Sequence, residues 1–166
     1  MMTGSEAVIR LAAPPERDSI VNGPGLRAVI WTQGCRMHCP GCHNPETWAE
    51  DGGQLLPLDR VIQILAGFKG QTGLTFCGGE PLLQPEACLS IARWAKKERQ
   101  WNIWIYTGYR YEDLAQNPDL KELLNLTDVL IDSPYIQAER DLSLTWRGSR
   151  NQRLIELKNG EIISIK

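Results

Sequence analysis

The chain has 166 residues, 42% of them hydrophobic and 23% charged, an ordinary globular balance with enough length for one domain with a real core. A formal net charge of −2 supplies no overall attraction to nucleic acid or to an anionic membrane. No apolar run approaches a membrane span, and Met1–Glu6 lack a basic region followed by an apolar stretch, so neither a membrane segment nor a secretory leader is expected.

Val8-Ile9-Arg10-Leu11 reads as a short first strand, closed by Pro14-Pro15. Asn22-Gly23-Pro24-Gly25 is a tight turn. Leu26 to Thr32 follows as a β-branched and aromatic strand. Its C-terminal end feeds Gly34-Cys35-Arg36-Met37-His38-Cys39-Pro40-Gly41-Cys42-His43-Asn44. Residues 47–56 read as loop. Leu58, Val61, Ile62, Leu65 and Phe68 recur at helical spacing and predict a helix over 58–68. Leu74-Thr75-Phe76-Cys77 is a short strand with Gly78-Gly79-Glu80 at its end. A second helix is predicted over 84–99, with Lys96, Lys97 and Arg99 where they suit the helix dipole. Asn102 to Tyr106 is the next strand, ending at Thr107-Gly108, and helical pieces cover 111–116 and 118–125. Val129-Leu130-Ile131 is a strand ending at Asp132, and residues 133–152 read as irregular and polar. Lys158-Asn159-Gly160 between two apolar runs predicts a terminal hairpin.

Strand–helix alternation over 26–132 argues a mainly parallel sheet. About four core strands are too few for a closed barrel. The expected fold is therefore α/β: an open, curved, partial (β/α) barrel with a C-terminal hairpin. Nothing marks a linker or a repeat, so 1–166 reads as a single domain.

Five cysteines, odd in number and mostly clustered, fit a reducing, cytoplasmic compartment and metal ligation better than a disulfide framework. Cys77 and Cys88 read as packing residues. Cys35, Cys39 and Cys42 are spaced C-x3-C-x2-C. Three thiolates suit a [4Fe–4S] cubane whose fourth iron stays open. Three other readings remain: C-x-x-C-H haem attachment, a Cys3His zinc site using His38 or His43, and plain unpaired thiols. Gly78-Gly79 is a turn, or else a place where the backbone comes close to a ligand. The second reading predicts that a side chain at Gly79 would spare the cluster and weaken ligand binding. Thr107 and Asp132 close strands at the same predicted edge. That is where α/β sheets gather ligand sites, although Asp132 is as readily a turn cap.

The C-x3-C-x2-C spacing resembles the signature of the radical S-adenosylmethionine (radical SAM) enzymes. Gly23-x-Gly25-x-Arg27-x3-Trp31-x2-Gly34-Cys35, with Cys39, Cys42 and Asn44, resembles the glycyl-radical-enzyme activases within it, with Trp31 where phenylalanine is usual. Gly41 stands where the wider superfamily often has an aromatic residue. Pro40-Gly41, Val21–Gly25, Thr107-Gly108-Tyr109-x-Tyr111-Glu112 and Trp146-Arg147-Gly148-Ser149-x-Asn151-Gln152-Arg153 are similar to the branch serving anaerobic ribonucleoside-triphosphate reductase. Gln33 to Cys39, His43-Asn44 and Thr47-Trp48 are also similar to pyruvate formate-lyase activase.

The resemblance implies a cluster on Cys35, Cys39 and Cys42 that cleaves SAM reductively to an adenosyl radical. That radical takes a hydrogen from a glycine of the partner reductase. It implies SAM contacts at Gly41, Cys42, His43, Gly78, Gly79 and Glu80, with Glu80 supporting the loop or receiving the methionine ammonium. Thr107 and Asp132 would lie near the SAM ribose and methionine carboxylate, or near a bound cation. Asn22, Gly23, Gly25, Trp146 and Arg147 would border the substrate, and reduced flavodoxin or ferredoxin would donate the electron. A radical SAM enzyme of small molecules, such as a deazaguanine synthase, and a non-catalytic iron–sulfur protein are the alternatives.

Overall fold

A computed structural model describes residues 6–166. Met1–Ser5, where the leader was judged absent, lie outside the described residues. Strands β1 (Val8–Leu11), β2 (Glu16–Ser19), β3 (Arg27–Thr32), β4 (Gln54–Pro57), β5 (Gly73–Gly78), β6 (Asn102–Tyr106), β7 (Val129–Asp132), β8 (Arg153–Lys158) and β9 (Glu161–Ile165) form one nine-stranded sheet. The path is β4-β1-β3-β5-β6-β7-β8-β9, with β2 also on β3.

The centre follows the expected alternation. β3, β5, β6 and β7 are parallel neighbours. Between them run α1 (Leu58–Ala66), α2 (Pro85–Trp94), α3 (Tyr111–Leu114) and α4 (Lys121–Leu126). A π-helical turn over Ala95–Arg99 extends α2. Leu58, Val61 and Leu65 of α1 and Ala87, Cys88, Ile91 and Ala92 of α2 are buried, the stripe their spacing predicts. They pack in the cluster that holds Ala28, Ile30, Leu74, Phe76, Ile103, Ile105 and Leu130, alternate residues of the four parallel strands.

The margins differ from expectation. The sheet is mixed rather than mainly parallel, because β1–β3, β1–β4, β2–β3, β7–β8 and β8–β9 are all antiparallel pairs. Parallel neighbours need a crossover of a dozen or more residues. The connections from β2 to β3 and from β8 to β9 are too short to supply one. β2 and β4 were not expected as strands. Glu16-Arg17-Asp18-Ser19 is wholly polar, and its pairing is reinforced by Trp31 Nε1 donating to Glu16 Oε2 at 2.7 Å. Gln54–Pro57 follows two glycines and is ordered by β1 across four register pairs.

The other set of alternate residues faces away from the helices. Trp104, Val129, Ile131 and Leu154 form a second, smaller cluster with Tyr106 and Trp146. Register places Arg27, Val29 and Trp31 of β3, and Thr75 and Cys77 of β5, on this same face. Residues 133–152 cover it as an irregular strap. Asn151 Nδ2 to the Pro134 carbonyl at 2.7 Å and Gly148 N–H to Gln152 Oε1 at 2.9 Å tie the strap to itself. No helix among the described residues is long and apolar enough to cross a membrane.

Candidate active site

The C-terminal ends of β3, β5 and β6 meet at a cavity of about 320 Å³. Cys35, Cys39 and Cys42 line it together, with His43 at its exposed edge. Gly34, at φ +104°, turns the chain out of β3 into the cysteine loop. The loop is then pinned from both sides. Gly34 N–H donates to Thr47 O at 2.7 Å and Cys35 N–H to Trp48 O at 3.1 Å. Buried Gln33 spans the base, donating through Nε2 to Glu46 O at 3.0 Å and Ala49 O at 2.8 Å. His38 stacks on Trp48 at 4.5 Å between ring centroids and does not line the cavity.

The Gly78-Gly79 turn abuts this loop, and the reason for its glycines is protein packing. A Cβ on Gly78, at φ +107°, would meet the Thr32 backbone at 2.5 Å. One on Gly79 would meet the Gly34 carbonyl oxygen at 2.4 Å. The missing side chain at Gly79 lets β5 approach the cysteine loop, as the turn reading has it. Gly79 N–H donates to Thr32 O and Glu80 N–H to Gly34 O, both at 2.8 Å. Gly78, Gly79 and Glu80 nevertheless line the cavity.

Glu80 is 1% exposed and ties three segments together. Its Oε1 accepts from Leu82 N–H at 3.1 Å and Thr107 Oγ1 at 2.9 Å, and its Oε2 accepts from Gly108 N–H at 2.8 Å. Burial pushes its carboxyl up to about 7, against the pull of those three donors. Thr107 and Gly108 also line the cavity. A Cβ on Gly108 would lie 2.0 Å from Met37 Sδ, so Met37 would have to shift to admit a side chain there.

Several expected site residues stand elsewhere. Asp132 is fully buried and does not line the cavity. Arg153 Nε and Nη2 reach its two oxygens at 2.9 and 2.5 Å, and Tyr111 N–H adds a bond at 2.8 Å. The guanidinium supplies Asp132 with a counter-charge from within the protein. Gly41, at φ +78°, backs onto Gln137 outside the lining. Gly23 packs on Arg27 and Gly25 on Thr72. Trp146 packs edge-on against Trp104 at 5.9 Å. Arg147 lies off the cavity with its Nε buried and without a partner. Of the expected substrate residues, Asn22 alone lines the cavity.

Trp31, Cys77, Tyr106, Ser133, Tyr135 and Gln152 also line the cavity, and none of them is among the site residues expected from the sequence. Cys88 is the core packing residue expected, with no exposure, whereas Cys77 faces the cavity. Alternation was the available signal: Trp31 and Cys77 sit one residue before their strands end and Tyr106 at the end of its own, all on one face. Burial pushes the Cys77 thiol up to about 12, so it stays protonated.

The donor set fits an iron–sulfur cubane. A cubane takes one thiolate on each of three irons, and Cys35, Cys39 and Cys42 border one cavity. Asn44 N–H points to Cys42 Sγ at 3.4 Å, a hydrogen bond of the kind that tunes cluster thiolates. Burial raises the Cys35 thiol above its ordinary value, opposed by hydrogen bonds from the Met37 and His38 backbones. A cation at the sulfur would reverse that.

The 4Fe-4S single cluster domain family matches residues 21–155. The anaerobic ribonucleoside-triphosphate reductase-activating protein of Enterobacteria phage T4 is 38% identical over 141 residues, covering 81% of this chain and 86% of that protein. Proteins of the same name from Salmonella typhi and Escherichia coli K12 are each 34% identical, covering 84% of this chain and 94% of the relative. The chain belongs to this radical SAM family of activating proteins. It is an oxidoreductase of the activase type, with a [4Fe–4S] cluster and S-adenosylmethionine as cofactors. Among solved structures, QueE from Escherichia coli superposes with a TM-score of 0.50 at 15% identity, over 61% of this chain and 52% of that one. The chain spans about half that structure's length, and the likeness concerns the fold alone.

Proposed function

We propose that this chain reductively cleaves S-adenosylmethionine at its cluster and takes a hydrogen atom from a glycine of an anaerobic ribonucleoside-triphosphate reductase, leaving a glycyl radical there. The observation that carries the reading is convergence: Cys35, Cys39, Cys42 and the Gly78-Gly79-Glu80 turn border one cavity at the ends of parallel strands. The similarity to activating proteins of that reductase supplies the partner.

Cys35, Cys39 and Cys42 would hold the cluster. The bound cluster and SAM supply the electron and the hydrogen-abstracting group. The chain's own residues bind, orient and exclude water. The backbones of Cys42, His43, Gly78 and Gly79 would meet SAM, with Glu80 and Thr107 behind them. Gly41 and Asp132 would act one layer further out, as loop and strand-end supports. No general base is required, and shielding of the reacting centre falls to Trp31, Cys77 and Tyr106 at the cavity floor. Asn22, Gly148 and Gln152, which also line the cavity, would border the opening for the partner's glycine segment. Gly23, Gly25, Trp146 and Arg147 would hold those borders from behind.

We read residues 1–166 as a single radical SAM domain and the sheet as its open partial barrel, supported by the QueE likeness. A reduced flavodoxin or ferredoxin in the cytoplasm would serve as donor. The test is anaerobic reconstitution with iron, sulfide, SAM and dithionite, with 5′-deoxyadenosine measured with and without the cognate reductase. Stimulation by the reductase supports the reading. Turnover indifferent to the reductase but driven by a small molecule would overturn it.

A further inference from the structure

Arg27 is the bulkiest fully buried side chain among the described residues. Burying a cation is costly unless its surroundings compensate. Its hydrogen-bond partners are all neutral. Nε donates to Thr75 Oγ1 at 2.7 Å, Nη1 to Pro24 O at 3.3 Å, and Nη2 to Leu74 O at 3.0 Å and Asn102 O at 3.3 Å. Its guanidinium carbon lies 5.3 Å from the Trp104 ring centroid. Burial pulls its pKa down to about 10, which leaves it charged at neutral pH.

The guanidinium reaches both the turn before β3 and the tryptophan that carries the strap. Pro24 belongs to the turn on one side. Trp104 carries Trp146 of the strap on the other. The Thr75 hydroxyl, having accepted from Arg27, donates to the Asn22 carbonyl at 2.7 Å. Asn22 is thereby fixed along its main chain. Its Oδ1 is held by Ser19 Oγ at 2.7 Å, and its Nδ2 points to Cys77 Sγ at 3.7 Å. A side-chain amide carries a second N–H, and Asn22 lines the cavity. Arg27 does not line it, so any influence it has on the cavity passes through others.

We propose that Arg27 is a positioning residue, which through the Thr75 hydroxyl sets the Asn22 amide to read the backbone of the glycine-bearing segment the cavity receives. This rests on the function proposed above. A glycine has no side chain to recognise, so its selection must use peptide groups and the space around them. A fixed amide on a rigid wall reads a peptide carbonyl without paying to order itself.

The test is a double-mutant cycle on the reconstituted holoenzyme with its cognate reductase, reading glycyl radical formation against reductase concentration. Thr75→Val keeps the shape and removes the relay. Its apparent KM for the reductase should rise about ten-fold, the scale of one lost hydrogen bond, with SAM cleavage in the absence of reductase retained. Thr75→Ser should restore KM. Asn22→Ala, in a half-exposed turn, should raise KM by a similar factor, and adding Thr75→Val to it should raise KM no further. Additive effects, or an unchanged KM in Thr75→Val, would overturn the inference. If Thr75→Val does not fold, normal KM in Asn22→Ala overturns it alone. Wild-type enzyme that forms no radical on the reductase would instead sink the functional reading beneath it.

Discussion

Thr107 Oγ1 donates to Glu80 Oε1 at 2.9 Å, and that bond joins the ends of β5 and β6 beneath the cysteine loop. Glu80 is the hinge of the site: its backbone N–H holds Gly34, and its carboxyl holds Leu82, Thr107 and Gly108. This one side chain ties Thr107 and Gly108 to the Gly78-Gly79 turn at the cavity.

Glu80 gives a pH dependence with a definite sign. Its carboxyl is raised from 4.5 to about 7 by burial. The folded chain therefore holds a proton that the unfolded chain releases. Stability falls as pH rises from about 4.5 to about 7 and is level above that window. Unfolding midpoints of the anaerobic holoenzyme should show this decline, and Glu80→Gln should lack it. Parallel pH profiles for the two proteins would contradict the assignment.

Metal content separates the three clustered cysteines from Cys88. The purified anaerobic protein should carry about four irons, as a cubane implies. Cys35→Ala, Cys39→Ala or Cys42→Ala should lose the cluster, whereas Cys88→Ala, far inside the helix-side core, should retain it. Iron and sulfide analysis decides. Full iron in Cys39→Ala is the adverse result.

Gly79 should answer differently from a simple ligand-facing glycine. Its Cβ would press on the Gly34 carbonyl, next to Cys35. Gly79→Val should therefore lower cluster content along with SAM binding. Iron retention with selective loss of SAM affinity would restore the ligand-approach explanation.

Arg153 and Asp132 form a buried ion pair, with Asp132 fully enclosed. Arg153→Ala leaves that carboxylate without its partner and should cost about 3 kcal/mol. Chemical denaturation of wild type and variant under the same anaerobic conditions measures it. A change below about 0.5 kcal/mol, the range of ordinary surface substitutions, would show that Asp132 is satisfied by Tyr111 and Ser133 alone.

The centre of the molecule was legible in sequence because local pattern and tertiary role agree there. Leu58, Val61 and Leu65 give a helical stripe, and β3, β5, β6 and β7 are β-branched or aromatic runs ending in glycine or polar residues. The three cysteines announce themselves by spacing. β2 and β4 were hidden because their order comes from partners: Trp31 on Glu16, and β1 on Gln54–Pro57. Asp132 misled for a related reason. A carboxylate at a strand end marks either a site or a support, and only Arg153, 21 residues on, decides which. Arg27 read as one letter of a signature, and its burial became visible only when β5 and β6 closed over it.

The central claim is the transfer of a glycine Cα hydrogen from the reductase to the adenosyl product. The direct measurement uses cognate reductase labelled with Cα-deuterated glycine, incubated anaerobically with the reconstituted enzyme, SAM and a reductant. The account predicts an organic radical on the reductase by electron paramagnetic resonance, together with deuterium in 5′-deoxyadenosine. SAM consumption with neither radical nor deuterium transfer would contradict it.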